Sequence, residues 1–258
     1  MSYAEKEKLA KSHFDQISSS YENVYHDRCN GQYFEFNQRR LIVKGIISEF
    51  LNNKNSGVSF LDIACGTGEI TADICELVTA NFPNSSVTIN DISLQMLNKS
   101  IIRLNRLREN ITVHNKSVER LFEENKAEYD LIIVLGLLGH VQNPYDISAK
   151  FYYQLKPNGM IVFQYTDQDN FFAKIESFYS FISQKLFQKH SPTSISHKKF
   201  KENMTHLGGD VICISYLVGI PFLCNFFPKL NNHIEHLLAR FIGSFGREKI
   251  VGVRKNAQ

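Results

Sequence analysis

The chain has 258 residues, 43% of them hydrophobic, which allows one large packed domain or two small ones and excludes a disordered chain. A net charge of +3 with scattered basic residues leaves no electrostatic footprint for nucleic acid, so a small-molecule partner is expected. Five cysteines (Cys29, Cys65, Cys75, Cys213, Cys224) form no C-x-x-C pair and leave an odd one, which fits free thiols in a reducing compartment such as the cytoplasm.

The opening segment, "MSYAEKEKLAKSHFDQ", is charged and lacks the apolar core of an export signal. Short β-branched runs then alternate with helical patterns, as in a parallel sheet covered by helices on both faces. The expected strands are Val58–Ala64, Ser86–Asn90, Ile111–His114, Leu131–Leu135 and Met160–Gln164, followed by Val211–Tyr216 and Ile250–Val253. Between the first two, Ile70, Ile74 and Leu77 have the spacing of one buried helix face. After the second, Leu94, Leu97, Ile101 and Leu104 repeat it, with Ser93 placed as the helix cap.

The last third carries two aromatic helical stripes, Phe171-Ile175-Phe178-Ile182 and Phe226-Leu230-Ile234-Leu237-Leu238-Phe241. Such stripes usually pack in a core, yet these fall in long connections at the ligand-binding end of an open α/β sheet. The charge-free run Val211–Phe227 has 17 residues, at the bottom of the range of about 17–25 for a membrane span. Gly219, Pro221 and Asn225 interrupt it, so it reads as a buried strand followed by an apolar loop or helix.

The stretch "FLDIACGTGEIT", Phe60 to Thr71, carries the chemistry. A strand-to-helix turn exposes backbone N–H groups, and Gly66 and Gly68 let a ligand approach that backbone closely. A dinucleotide fingerprint needs a third small residue where this chain has Thr71, and the Walker lysine is absent. Asp62 would repel a pyrophosphate and attract an ammonium group. Asp91 stands at the end of the next strand, 25 residues past Gly66, where a carboxylate can accept both hydroxyls of a ribose. A ligand with a ribose, an amino-acid part and no need of phosphate contacts is S-adenosylmethionine. Asp62 can also cap the turn, and Asp91 the following helix.

With "LDIACGTGEIT", "INDISLQML", "YDLIIVLGLLGHV" and "LKPNGMIVF" in that order over about two fifths of the chain, the sequence resembles class I S-adenosylmethionine-dependent methyltransferases. The lead-in "SHFDQISSSYENVY" is similar to the ubiquinone/menaquinone-biosynthesis type and to many natural-product and sugar methyltransferases. The resemblance implies a Rossmann-like, seven-stranded, mostly parallel α/β sheet with helices on both faces and an antiparallel last strand. It implies a single domain: a helical cap at 1–52, a cofactor core at 56–165, and acceptor-pocket insertions with the last two strands at 166–258.

By the same resemblance, Asp62, Ala64, Gly66 and Gly68 surround the methionine portion, Asp91 holds the ribose, and Ile92 and Met96 lie near adenine. Many relatives place an aspartate after the third strand to meet the adenine amino group. Here Ser117 stands in that position, which leaves adenine to its hydroxyl and the Val118 backbone. Leu135 and Gly136 would lie near the sulfonium and the acceptor.

An alcohol or phenol acceptor must lose a proton, and His140, in "LLGHV", follows the fourth strand on the acceptor edge. It can serve as the base or only support the loop. Tyr21, Tyr25 and His26 lie in the segment that forms a lid in relatives, and Arg40 could reach the methionine carboxylate. His190 and His197 flank "SPTSIS" and could meet the acceptor; the nine histidines show no zinc spacing, and no metal is expected. The aromatic insertions suit an apolar pocket for a natural-product, quinone-like or lipid-linked sugar acceptor, or else a homodimer surface. The rival readings are a non-catalytic binding or interaction protein that keeps the cofactor fold and a nicotinamide-dependent oxidoreductase.

Overall fold

A computed structural model describes residues 3–107, 111–170, 193–216, 234, 246 and 248–256. All seven expected strands form: β1 (Ser59–Asp62), β2 (Ser86–Asn90), β3 (Ile111–His114), β4 (Tyr129–Val134), β5 (Leu155–Thr166), β6 (Gly209–Tyr216) and β7 (Glu248–Lys255). They join one sheet in the order β3-β2-β1-β4-β5-β7-β6. β1 to β5 pair in parallel, and β7 lies antiparallel between β5 and β6, so the last strand runs as expected. β5 starts earlier than its apolar run because Pro157-Asn158-Gly159 makes an irregularity, with Asn158 at φ 59°, where the pairing with β4 shifts register.

The helices are α1 (Tyr3–Ile17), α2 (Asn23–His26), α3 (Tyr33–Leu51), α4 (Glu69–Asn81), α5 (Leu94–Leu104), α6 (Val118–Glu124), α7 (Pro144–Tyr153) and α8 (His197–His206). The core has one layer on each face of the sheet, because side chains alternate along each strand. Phe60 of β1 packs with Val43, Ile47 and Phe50 of α3 and Ile74 of α4. Its neighbour Leu61 joins Ile132, Phe151, Phe163 and Phe200 on the other face. All of these side chains are almost fully buried.

Ser93 caps α5 as expected, its Oγ accepting from the Met96 N–H at 3.1 Å. The buried face of that helix is rotated from the expected stripe: Leu97 and Leu104 are buried, Leu94 is exposed, and Met96 and Ser100 turn inward. Contacts with α4 and α1, in addition to the sheet, set that face.

The first six residues of the run Val211–Phe227 belong to β6, and the rest lies outside the described residues. Among the described residues no helix is long and apolar enough to cross a membrane. His190 and both aromatic stripes, Ile234 excepted, also lie outside them. Strand order reverses at β1, with β2 on one side and β4 on the other, which opens a crevice at the C-terminal ends of β1 and β4.

Candidate active site

A cavity open to solvent at one side occupies that crevice. Asp62 lines it at the end of β1 and is 3% exposed. Its Oδ2 accepts the Thr71 hydroxyl at 2.7 Å, while its Oδ1 is buried with no hydrogen-bond partner. Burial pushes this carboxyl up to about 7, although the Thr71 hydroxyl and the Ala64 N–H pull it down. A buried carboxylate oxygen without a donor is costly, and a ligand that brings a positive N–H group relieves it.

Ala64 and Gly66 are part of the same wall, and Gly66 has φ 55°, a left-handed turn that glycine adopts without strain. Gly68 caps α4 at φ 79°, between the wall residues Thr67 and Glu69, and is not itself part of the wall. A Cβ there would stand 2.6 Å from Ser100 Oγ, so this glycine serves the close approach of α4 and α5.

Asp91 also lines the cavity, and both of its oxygens hold backbone in place. Oδ2 accepts from the Gly66 N–H and Oδ1 from the Ser93 N–H, each at 2.8 Å. Burial pushes its carboxyl up to about 6 against those bonds. Each oxygen keeps a second lone pair, so holding the backbone and binding a ligand are compatible. Ile92, Met96, Ser117 and Val118 continue the wall, and Ser117 begins α6 without a side-chain capping bond.

The cap forms the opposite side. Ala10 and Phe14 of α1 line the cavity, as do Tyr21 and Tyr25. Burial raises the Tyr25 phenol above its ordinary range, which keeps it neutral near pH 7. Leu135, Gly136 and His140 stand after β4, and the His140 ring meets Phe14 edge-on at 5.4 Å. The His140 backbone N–H donates to the Leu137 carbonyl at 2.8 Å.

Arg40 does not reach the cavity. Its Nη2 donates to Asp73 Oδ1 at 2.7 Å and its Nε to Oδ2, on the flank of α4. The arginine in the wall is Arg39, one residue earlier and about 100° around the helix. It is buried, donates to Gln164 Oε1 at 3.1 Å and to the Tyr25 hydroxyl, and lies over the Phe36 ring at 4.1 Å. His26 is largely exposed and pairs with Glu69, off the wall. His197 is also off the wall, its Nδ1 2.7 Å from the Tyr165 hydroxyl.

A family profile described as "Methyltransferase domain" matches residues 33–213, more than half of the chain. The chain belongs to this methyltransferase-domain family. Among curated relatives, a malonyl-[acyl-carrier protein] O-methyltransferase of Priestia megaterium is 30% identical over 140 residues, 54% of this chain and 48% of that protein. A ubiquinone biosynthesis O-methyltransferase of Nitrosococcus oceani is 31% identical over 119 residues, 45% of this chain and 47% of its own. This chain thus spans about half the length of the curated relatives it matches. Among solved structures, the N-methyltransferase NodS from Bradyrhizobium japonicum, in complex with S-adenosyl-l-homocysteine, has a TM-score of 0.62 at 10% identity. That match covers 97% of this chain and 100% of NodS, and it shows the fold.

Two wall residues of this methyltransferase domain escape motif reading. Spacing does not single out Arg39, because Arg39 and Arg40 both stand at helical intervals from buried residues of α3. Asn90 is visible only once the strands assemble. Its Nδ2 donates to the Ile63 and Lys116 carbonyls at 3.0 and 3.1 Å, and its Oδ1 accepts from the Lys116 N–H at 3.1 Å. That buried amide ties the end of β1 to the loop before α6, both of which line the cavity.

Proposed function

We propose that this chain methylates an oxygen of a small-molecule acceptor, using S-adenosylmethionine. The observation that carries the reading is the buried, unpartnered Oδ1 of Asp62 in the cavity wall, which asks for a cationic donor. The surrounding residues fit the rest of that cofactor. Asp62 and the Ala64–Gly66 backbone hold the amino end, Arg39 takes the carboxylate in place of Arg40, and Asp91 accepts from the ribose. Ile92, Met96, Ser117 and Val118 surround the adenine.

When bound, S-adenosylmethionine supplies a methyl group already activated by its sulfonium. The chain's own work is alignment, exclusion of water and removal of one proton. Phe14, Tyr21 and Tyr25 close the cavity from the cap side. Gly136 leaves open space beside it, since no atom beyond its chain neighbours lies within 4 Å of a Cβ built there, and this space admits the acceptor. His140 accepts the proton of the acceptor hydroxyl, with Phe14 setting the plane of its ring.

The acceptor is a quinone-like, natural-product or carrier-linked compound. Support comes from relatives named for ubiquinone biosynthesis and for malonyl-[acyl-carrier protein], both O-methyltransferases. In this reading 1–52 form the cap, 56–165 the cofactor core, and 166–258 the acceptor side and last two strands. Calorimetry with S-adenosylhomocysteine tests it: saturable binding is expected, and Asp91→Ala weakens it strongly. A folded protein that binds none overturns the reading.

A further inference from the structure

Arg103, in the last turn of α5, stands outside the cavity, yet its one guanidinium joins three parts of the surrounding structure. Its Nε donates to the Thr67 carbonyl, in the glycine turn, at 3.1 Å. Its Nη2 lies 2.6 Å from Glu69 Oε1 at the start of α4 and 2.5 Å from Glu22 Oε1, in the segment between α1 and α2. Thr67 and Glu69 line the cavity, and Glu22 directly follows Tyr21, which lines it from the cap. Two further contacts repeat the link. Lys99, one turn earlier on α5, lies 3.6 Å from Glu22 Oε2, and His26 Nε2 lies 2.7 Å from Glu69 Oε1.

The geometry favours arginine, whose planar fork can serve acceptors on two segments at once, where an ammonium is a point charge on a flexible stem. Gly68 permits it. Because a Cβ at Gly68 would meet Ser100 at 2.6 Å, its absence lets α5 lie close enough for Arg103, three residues on, to reach the turn.

We propose that Arg103 is a positioning residue that latches Tyr21–His26 against the glycine turn and thereby sets the residence time of the donor or its demethylated product. The proposal rests on the cofactor reading above. The cap forms one wall, so release requires the cap to part from the turn, and that parting breaks the Arg103–Glu22 pair. Loss of such charge-assisted bonds acts mainly on the dissociation rate.

The test is stopped-flow binding of S-adenosylhomocysteine to the full chain, with hydrogen exchange read over residues 18–26. Arg103→Gln is expected to raise the dissociation rate by about tenfold or more and the exchange in 18–26, with the association rate little changed. Arg103→Lys, which keeps the charge without the fork, recovers part of the loss. Glu22→Gln spares the Arg103 bonds to Thr67 and Glu69 and decides the matter if Arg103→Gln does not fold. It is expected to raise the dissociation rate by roughly three- to tenfold. A Glu22→Gln protein with wild-type dissociation and wild-type exchange in 18–26 overturns the latch. Wild-type protein that binds no S-adenosylhomocysteine overturns the cofactor reading instead, and the exchange comparison then still tests the latch.

Discussion

Thr71 donates its hydroxyl to Asp62 Oδ2 at 2.7 Å, so the residue that spoils the dinucleotide fingerprint supports the carboxylate at the end of β1. That bond holds down a carboxyl that burial has pushed up to about 7. Thr71→Val removes it, and the Asp62 carboxyl is expected to rise further. Affinity for S-adenosylhomocysteine at pH 7 then falls by about tenfold and recovers in part at pH 8.5, measured by calorimetry at both values.

The same burial makes Asp62 a liability in the ligand-free protein. Its folded pKa, about 7, lies above the unfolded value of about 3.9, so the ionised group opposes folding increasingly as pH rises between the two. Asp62→Asn is therefore expected to leave the ligand-free protein at least as stable at pH 8, by roughly 1–3 kcal/mol in urea unfolding, while cofactor affinity collapses. A large loss of stability at pH 8 would contradict this.

Binding should also move protons. Asp62 at about 7 and Asp91 at about 6 are partly protonated near neutrality, and a cationic ligand favours their ionised forms. Binding of S-adenosylhomocysteine at pH 6.5 is expected to release up to about one proton, with affinity falling as pH drops. Calorimetry in two buffers of different ionisation enthalpy measures the release; none would mean that the ammonium group does not meet Asp62.

Neighbouring arginines on α3 should separate. Arg39→Ala removes a buried cation from the cavity wall and is expected to weaken cofactor binding by tenfold or more. Arg40→Ala strands the buried Asp73, with only Lys44 near at 3.7 Å, and should cost about 1–3 kcal/mol in urea unfolding while affinity changes little. The reverse pattern would return the carboxylate to Arg40.

Asp130 lies at the other end of the sheet and governs stability, not chemistry. Burial works against its ionised form, but the Ser59 N–H and hydroxyl, Lys156 and Lys54 surround it and hold its carboxyl below the usual range. Its stabilising effect is therefore complete above the unfolded pKa of about 4 and is lost as pH falls below it. Asp130→Asn is expected to cost about 1–3 kcal/mol at pH 7, with the gap to wild type closing towards pH 2 in thermal melts.

The strands, the glycine turn and its two acids were legible because each is a local pattern: an apolar run, a turn that needs left-handed backbone, a carboxylate at a strand end. The Asp62, Gly66 and Asp91 wall follows once parallel pairing brings β1 beside β2, since register places Asp62 opposite Ile89 near the end of that strand. Spacing alone misplaces the buried face of α5, because neighbouring helices as well as the sheet decide which side is buried.

By itself, then, the sequence determined the α/β class and the seven strands through short-range periodicity and steric need, and its motifs, by family resemblance, pointed to part of the wall. Tertiary structure alone decided that Arg39 faces the cavity while Arg40 pairs with Asp73, that Asn90 joins two loops, and that Arg103 reaches across to Glu22. Those outcomes depend on helix phase and on contacts between residues far apart in the chain, and no local pattern encodes such distances.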